Sequence, residues 1–260
     1  MALPYAGSVF SIKYCSRKGI LLSQPSYNNN QILAALPQDE ASRFLAQQVE
    51  TVPLKLGSTL FMPDEQLEYV YFPLEGVVSL LVTLSDGETV ESGVVGNEGV
   101  VGISAVLGAD VSTNQALVQD SGSALRIKTS ALRALIRQGG ALHDLLLRFT
   151  HTLLTQISQT AACNRIHTIN ERLARWLLLT HDRVNGDNCE LTHDFLARML
   201  GTRRSGVTVA ASTLRQAGMI NYTRGNVSIL DREALEDASC ECYRNVKAEY
   251  DRLFKKSKRK

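Results

Sequence analysis

Along the chain the spacing of apolar positions changes twice. From Asn28 a short helical pattern carries Ile32, Leu33 and Leu36, then Phe44 and Leu45 beyond Pro37. After Pro53 the texture becomes strand-like. Short runs rich in Val, Leu, Tyr and Phe (Tyr69–Phe72, Val77–Leu84, Thr89–Val95) are separated by Met62-Pro63-Asp64, Glu75-Gly76, Asp86-Gly87 and Gly96-Asn97-Glu98-Gly99. Asp-Gly between two such runs predicts a hairpin with a type I′ turn, in which both central residues take positive φ. Strands of this length and spacing predict an antiparallel barrel or sandwich of about 100 residues.

After Lys128 the period lengthens. Leu135, Leu142 and Phe149 recur every seven residues with Leu146 and Leu153 between them, a seam interrupted only by Gly139-Gly140. Such a helix can pack on the strand-rich module, and with apolar residues beyond one face (Leu145, Leu147, Leu154, Ile157) the seam is expected also to meet a second copy of itself. A further helix places Ile166, Ile169, Leu173, Trp176 and Leu177 on one face and stops near Asn185-Gly186-Asp187.

Residues 191–230 are the most informative stretch. Thr192 is positioned to cap a helix whose apolar positions are Phe195, Leu196, Met199 and Leu200. Gly201 supplies a left-handed turn, and Thr202 is the expected cap of a second helix with Val207, Ala210, Ala211 and Leu214 inward. That helix ends at Ala217-Gly218, with Gly218 as the residue just past the cap. Two short helices joined by a tight glycine turn form the helix-turn-helix pattern. The second opens with Arg203, Arg204, Ser205, Gly206 and Thr208, a set able to reach guanine edges and phosphates. Ile220–Tyr222 and Val227–Leu230 flank Thr223-Arg224-Gly225-Asn226, a hairpin whose basic tip, Arg224, suits the phosphate backbone.

Composition sets the bounds. Of 260 residues 44% are hydrophobic and 21% charged, which excludes a disordered or fibrous chain. No apolar stretch approaches the roughly 20 residues of a membrane span. Met1–Ala6 lacks the basic and apolar regions of a secretory signal, so a cytoplasmic location is expected. Net charge is +2, yet residues 1–130 carry 7 basic and 13 acidic side chains, against 21 and 13 in residues 131–260. An acidic half joined to a basic half suggests two modules, the second facing a polyanion.

Together these segments resemble the Crp/Fnr family of bacterial transcription regulators over roughly residues 28–243. The resemblance is carried by Tyr71-Phe72-Pro73 before Gly76, by Val94-Val95-Gly96-Asn97-Glu98-Gly99, by Glu171-Arg172-Leu173-Ala174-Arg175-Trp176-Leu177 and by Thr192–Leu214. It implies an α+β fold with an N-terminal antiparallel β-roll of cyclic-nucleotide-binding type, a long dimerisation helix and a C-terminal winged helix-turn-helix. The implied division is an N-terminal extension (1–27), the sensor roll (28–130), the dimerisation helix (131–165), the winged helix (166–235) and a basic tail (236–260). It implies a homodimer on a palindromic double-stranded DNA operator, acting on RNA polymerase. The DNA-binding residues it points to are Thr192, Thr202, Arg203, Arg204, Ser205, Thr208 and Arg224.

The chain departs from the family's pattern in its sensor. Members that bind cyclic AMP use a Glu for the ribose and an Arg-Ser pair for the phosphate; alignment places Ile103 and Asn114-Gln115 at those positions. No Lys or Arg lies between Lys55 and Arg126, so a nucleotide phosphate lacks its charge-assisted partner. Cyclic-nucleotide binding is therefore not expected, and the effector is left open. Oxygen-sensing members group three cysteines near the N-terminus, where this chain has only Cys15. Cys163 and Cys189 stand alone in sequence, Cys240-Glu241-Cys242 is distant, and His143, His151, His167, His181 and His193 lack zinc-ligand spacing. No metal or cofactor is expected on that basis.

Enzymatic readings find no support. Gly-x-Ser-x-Gly, Walker-type and Gly-x-Gly-x-x-Gly motifs are missing, and residues 53–128 contain no histidine for a cupin metal site. The competing reading is a ligand-binding or adaptor protein whose winged helix contacts other proteins.

Overall fold

The computed structural model describes residues 26–184, 188–223 and 225–255. Two short helices, α1 (Gln31–Ala34) and α2 (Gln38–Leu45), lead into strands β1 (Glu50–Leu54), β2 (Thr59–Phe61), β3 (Tyr69–Thr83) and β4 (Thr89–Val95). Helix α3 (Ile103–Val106) and strand β5 (Gln115–Lys128) complete the roll. All pairings are antiparallel, in the order β1-β5-β3-β4 with β2 also on β5. Asn30 ties the leading helices to this sheet: it caps α1 through Leu33 N–H and donates its amide to the carbonyls of Pro73 and Gly99.

Two turn signals act differently from their sequence reading. Tyr69–Phe72 and Val77–Thr83 are not separate strands but parts of the 15-residue β3, bulged between Pro73 and Val78, with Leu84 just beyond it. Gly76 (φ +86°) lies so close to β5 that a Cβ would sit 2.7 Å from the Asp120 carbonyl oxygen. It bends a continuous strand instead of reversing it. Asp86-Gly87 does close a hairpin between β3 and β4, but only Gly87 has positive φ. Gly87 N–H bonds to Leu84 O and Leu84 N–H to Glu88 O, giving a three-residue connection with glycine in the left-handed position.

Helix α4 (Thr129–Arg137) breaks at Gly139-Gly140, and α5 (Ala141–Ile166) follows. The carboxylate of Glu40, on α2, accepts from the free N–H groups of Ala141 and Leu142 and so caps α5 from another element. Here the seam expectation is corrected. Leu135, Leu142, Leu146, Phe149 and Leu153 are buried in the same core as Val70, Phe72 and Val100, so the heptad stripe packs on the roll of its own chain. The Phe149 ring occupies the space where a Cβ on Gly99 would stand, 2.3 Å away. The outward stripe of α5 is Asp144, Leu147, His151, Leu154, Ser158 and Ala161, with Leu147 45% and Leu154 57% exposed.

The second half contains α6 (Ile169–His181), β6 (Asn188–Glu190), α7 (His193–Met199), α8 (Arg204–Gln216), β7 (Ile220–Thr223), β8 (Asn226–Ile229), α9 (Arg232–Ala238) and α10 (Glu241–Leu253). Strand β6 makes the wing three-stranded, in the order β6-β8-β7. Its core joins Leu173, Leu177, Leu196, Val207 and Leu214 to Val77, Leu81 and Val94 of the roll. Buried polar bonds cross the same junction: Arg183 Nε donates to Glu98 at 2.8 Å, and Trp176 Nε1 to Glu91 at 2.8 Å.

The segment expected as a basic tail is another correction. Residues 241–253 form α10, which buries Tyr243, Val246 and Leu253 and lies along α5. Tyr243, Val246, Tyr250 and Leu253 recur at three- and four-residue spacing, a helical stripe hidden among Glu, Lys and Arg. The residues before Ser26 and after Lys255, including Cys15 and most of the basic terminus, lie outside the described residues.

Candidate nucleic-acid interface

Helices α7 and α8 are set by their ends. Thr192 caps α7, its Oγ1 accepting from Phe195 N–H at 3.1 Å. Gly201 (φ +55°) closes the helix: its N–H bonds to Arg198 O and Thr202 N–H to Ala197 O, the paired bonds of a Schellman motif. That use of Thr202 corrects its expected role. Its backbone finishes α7, so the N-cap of α8 moves to Arg203, which makes no side-chain cap bond. Helix α8 ends in the same manner at Gly218 (φ +75°), with Gly218 N–H on Arg215 O and Met219 N–H on Leu214 O.

The outward face of α8 carries Arg204, Ser205, Thr208, Val209 and Thr213, with Arg203 exposed just before it. Val207, Ala210, Ala211 and Leu214 face the core. Arg204 Nη1 lies 3.4 Å from Asp194 Oδ2, a pair mostly exposed on both sides and weak enough to be exchanged for another anion. Thr208 is differently engaged. Its hydroxyl bonds to Arg204 O and to His193 Nδ1, each at 3.0 Å. His193 stacks on Tyr222 of the wing at 4.5 Å, and Tyr222 Oη donates to Leu191 O. Desolvation, then the nearby Arg204 charge, lowers the His193 pKa and so favours the neutral ring, and Thr208, His193 and Tyr222 join α8, α7 and wing. Sequence reading missed this brace and also missed Val209, 67% exposed beside Thr208. Val209 was legible as the position one turn from Ser205, whereas the brace joins three elements and is set by tertiary packing. Arg224, the expected wing contact, lies outside the described residues.

In the roll, Ile103 begins α3 and Asn114 precedes β5. Asn114 is half-buried, bonded to Ser112, Thr113 and Ser92. The guanidinium nearest α3 is Arg133, which comes from α4 and is taken up by Ala105 O, Ala109 O and Asp110. A cavity of about 230 Å³ beside Tyr69 and Tyr71 is lined by Glu65 and Glu68; the Arg126 guanidinium, 4.4 Å from the Tyr69 ring, is paired with Glu50.

Away from these faces, the structure gathers Cys163, His167, Cys240 and Cys242 into one cluster. The reading of Cys163 as solitary is corrected at this point, and so is that of His167; His143, His151, His181 and His193 join no such group among the described residues. The four side chains come from two helices almost 80 residues apart, a distance that local spacing does not register.

Two family models match the chain: a cyclic nucleotide-binding domain over residues 51–139 and a Crp-like helix-turn-helix domain over residues 171–238. No curated protein sequence matches it. Among solved structures, FixK2 from Bradyrhizobium japonicum is 20% identical, with a TM-score of 0.64 over 74% of this chain and 98% of its own. TTHB099, a CRP-family transcriptional regulator from Thermus thermophilus, is 21% identical with a TM-score of 0.62, covering 72% and 96%. CLP from Xanthomonas campestris, a regulator responsive to c-di-GMP, is 18% identical with a TM-score of 0.57, covering 74% and 99%. At such identities the likeness is one of fold.

Proposed function

We infer the activity from the premise that the chain belongs to the Crp/Fnr family of transcription regulators, its two halves matching a cyclic nucleotide-binding and a Crp-like helix-turn-helix domain. We propose that it is a sequence-specific regulator that binds a palindromic operator in the cytoplasm as a homodimer and acts on RNA polymerase. The observation that carries this reading is the exposed first turn and outward face of α8, basic and hydroxylated, braced by α7 and the wing. Arg203 and Arg204 enter the major groove, Arg204 reading guanine O6 and N7, with Ser205 beside it. Val209 meets a thymine methyl, while Thr192, Thr202 and Thr208 hold the two helices in register. Arg224 anchors phosphate from the wing.

Dimerisation falls to the outward stripe of α5, where Leu147 and Leu154 would bury against their symmetry mates. The roll does not take cyclic AMP: Ile103 and Asn114 offer no anion partner, and Arg133 is already engaged. Its effector has other chemistry. Selection of bound DNA from a random pool with the full chain tests the activity. A two-fold site with half-sites about 10 bp apart is expected. Recovery of unenriched DNA would leave a protein-binding winged helix as the better reading.

A further inference from the structure

The cluster of Cys163, His167, Cys240 and Cys242 is built like a closed metal site. Cys163 and His167 are one turn apart at the C-terminal end of α5, His167 being its C-cap with its N–H on Cys163 O. Cys240 is the N-cap of α10, and Cys242 lies in its first turn. The three thiols are buried, and the four ligand atoms lie within 4.8 Å of one another. Cys163 Sγ to Cys240 Sγ is 3.5 Å, and Cys242 Sγ to His167 Nδ1 is 3.7 Å. Four ligands around one ion at about 2.3 Å from sulfur define a tetrahedron with edges of about 3.8 Å. An iron–sulfur cluster would hold its ligands farther apart, because its own irons and sulfides stand between them.

Two neighbours supply what such a centre needs around it. Glu241 Oε2 lies 3.3 Å from His167 Nε2, the carboxylate–histidine pairing that orients a ligating ring and leaves Nδ1 toward the thiols. Arg175 is only 3% exposed and bonds to Thr160, yet its Nε has no partner; its charge acts on both Cys163 and Cys242. A buried guanidinium without full pairing is costly, and a divalent ion with three thiolates and a neutral imidazole carries net −1 beside it. The absence of oxygen ligands excludes calcium and magnesium chemistry.

We propose that Cys163, His167, Cys240 and Cys242 bind a tetrahedral, thiolate-preferring divalent ion of the zinc class. The ion would staple the break between α5 and α6 to the start of α10. If α8 reads DNA as proposed above, the staple fixes its orientation relative to α5, so loss of the ion would lower operator affinity.

Elemental analysis of the full chain purified under reducing conditions should give roughly one zinc per chain. Stripped protein titrated with Co²⁺ should show thiolate charge-transfer and tetrahedral d–d bands that saturate at one equivalent. Cys242→Ser should abolish the bands, while His167→Cys should retain them with the shift expected of a fourth thiolate. Glu241→Gln, with the ligand set intact, should weaken the ion by about 10–100-fold. Folding of each variant is followed by far-UV circular dichroism, and the His167→Cys result stands even where Cys242→Ser unfolds. Metal-free protein that gives no Co²⁺ bands would overturn the proposal, as would iron with acid-labile sulfide or a Cys163–Cys240 disulfide. Because metal content is read without DNA, a failure here is separable from a failure of operator binding.

Discussion

The β-roll places Ile103 at the start of α3 and Asn114 ahead of β5, bonded to Ser112, Thr113 and Ser92. The winged helix instead presents Arg203, Arg204 and Ser205 on an open face. Both regions keep their architecture. Phe149 still fills the space above Gly99, and Gly201 and Gly218 still close α7 and α8. The difference is that the polar groups near Asn114 and Arg133 are satisfied within the roll, whereas the first turn of α8 leaves basic and hydroxyl side chains open to solvent. Apolar packing and turn geometry therefore hold each scaffold whatever chemistry its face carries.

The largest effect expected from breaking this comparison lies where the roll meets α5. Phe149→Ala should destabilise the chain by about 3–5 kcal/mol in urea unfolding, since the ring is fully buried against Gly99. Leu154→Glu on the opposite face of α5 should leave the unfolding midpoint nearly unchanged and yield monomers in sedimentation. Equal destabilisation by the two substitutions would erase the distinction between core and outward stripe.

A pH effect follows at the junction of the two regions. Desolvation raises the Glu91 pKa to about 7, opposed by the bond from Trp176 Nε1 and the charges of Arg175 and Arg183, and one carboxyl oxygen has no partner. The folded state then binds the proton more tightly than the unfolded chain. Stability should fall as pH rises from about 4.5 to about 7 and level off above, by at most about 3 kcal/mol. Glu91→Gln should flatten that slope; an unchanged slope in the variant would assign it to other groups.

How much of this was legible in the sequence depended on the range of the signal. The paired turns of α7 and α8 were read from Gly201 and Gly218 because a positive φ is a single-residue property. The seam over Leu142, Leu146, Phe149 and Leu153 was correctly periodic but assigned to the wrong partner, since periodicity reveals an apolar face and not what covers it. The cysteine cluster was missed for a related reason: only tertiary packing brings α5 and α10 together. Helix α10 itself was masked by its charge.

Within the winged helix, Arg204→Ala should cost about 1–3 kcal/mol on the selected operator and relax preference at one position per half-site, measured by fluorescence anisotropy. Uniform weakening on specific and scrambled DNA would shift base reading to Arg203. The smallest effect is expected in the roll: cyclic AMP should give no calorimetric heat and no change in operator affinity. Micromolar binding would require an arginine from outside residues 56–125 to serve the phosphate.

Helix α10 also bears on how the molecule is made. Leu253 belongs to the core that surrounds Phe149, and Tyr243 and Val246 to the core of the winged helix. Arg148 reaches the Lys255 carbonyl across 107 residues of sequence. Until α10 has emerged, neither core is closed and α5 has one flank bare, so the two halves complete their packing together instead of one after the other.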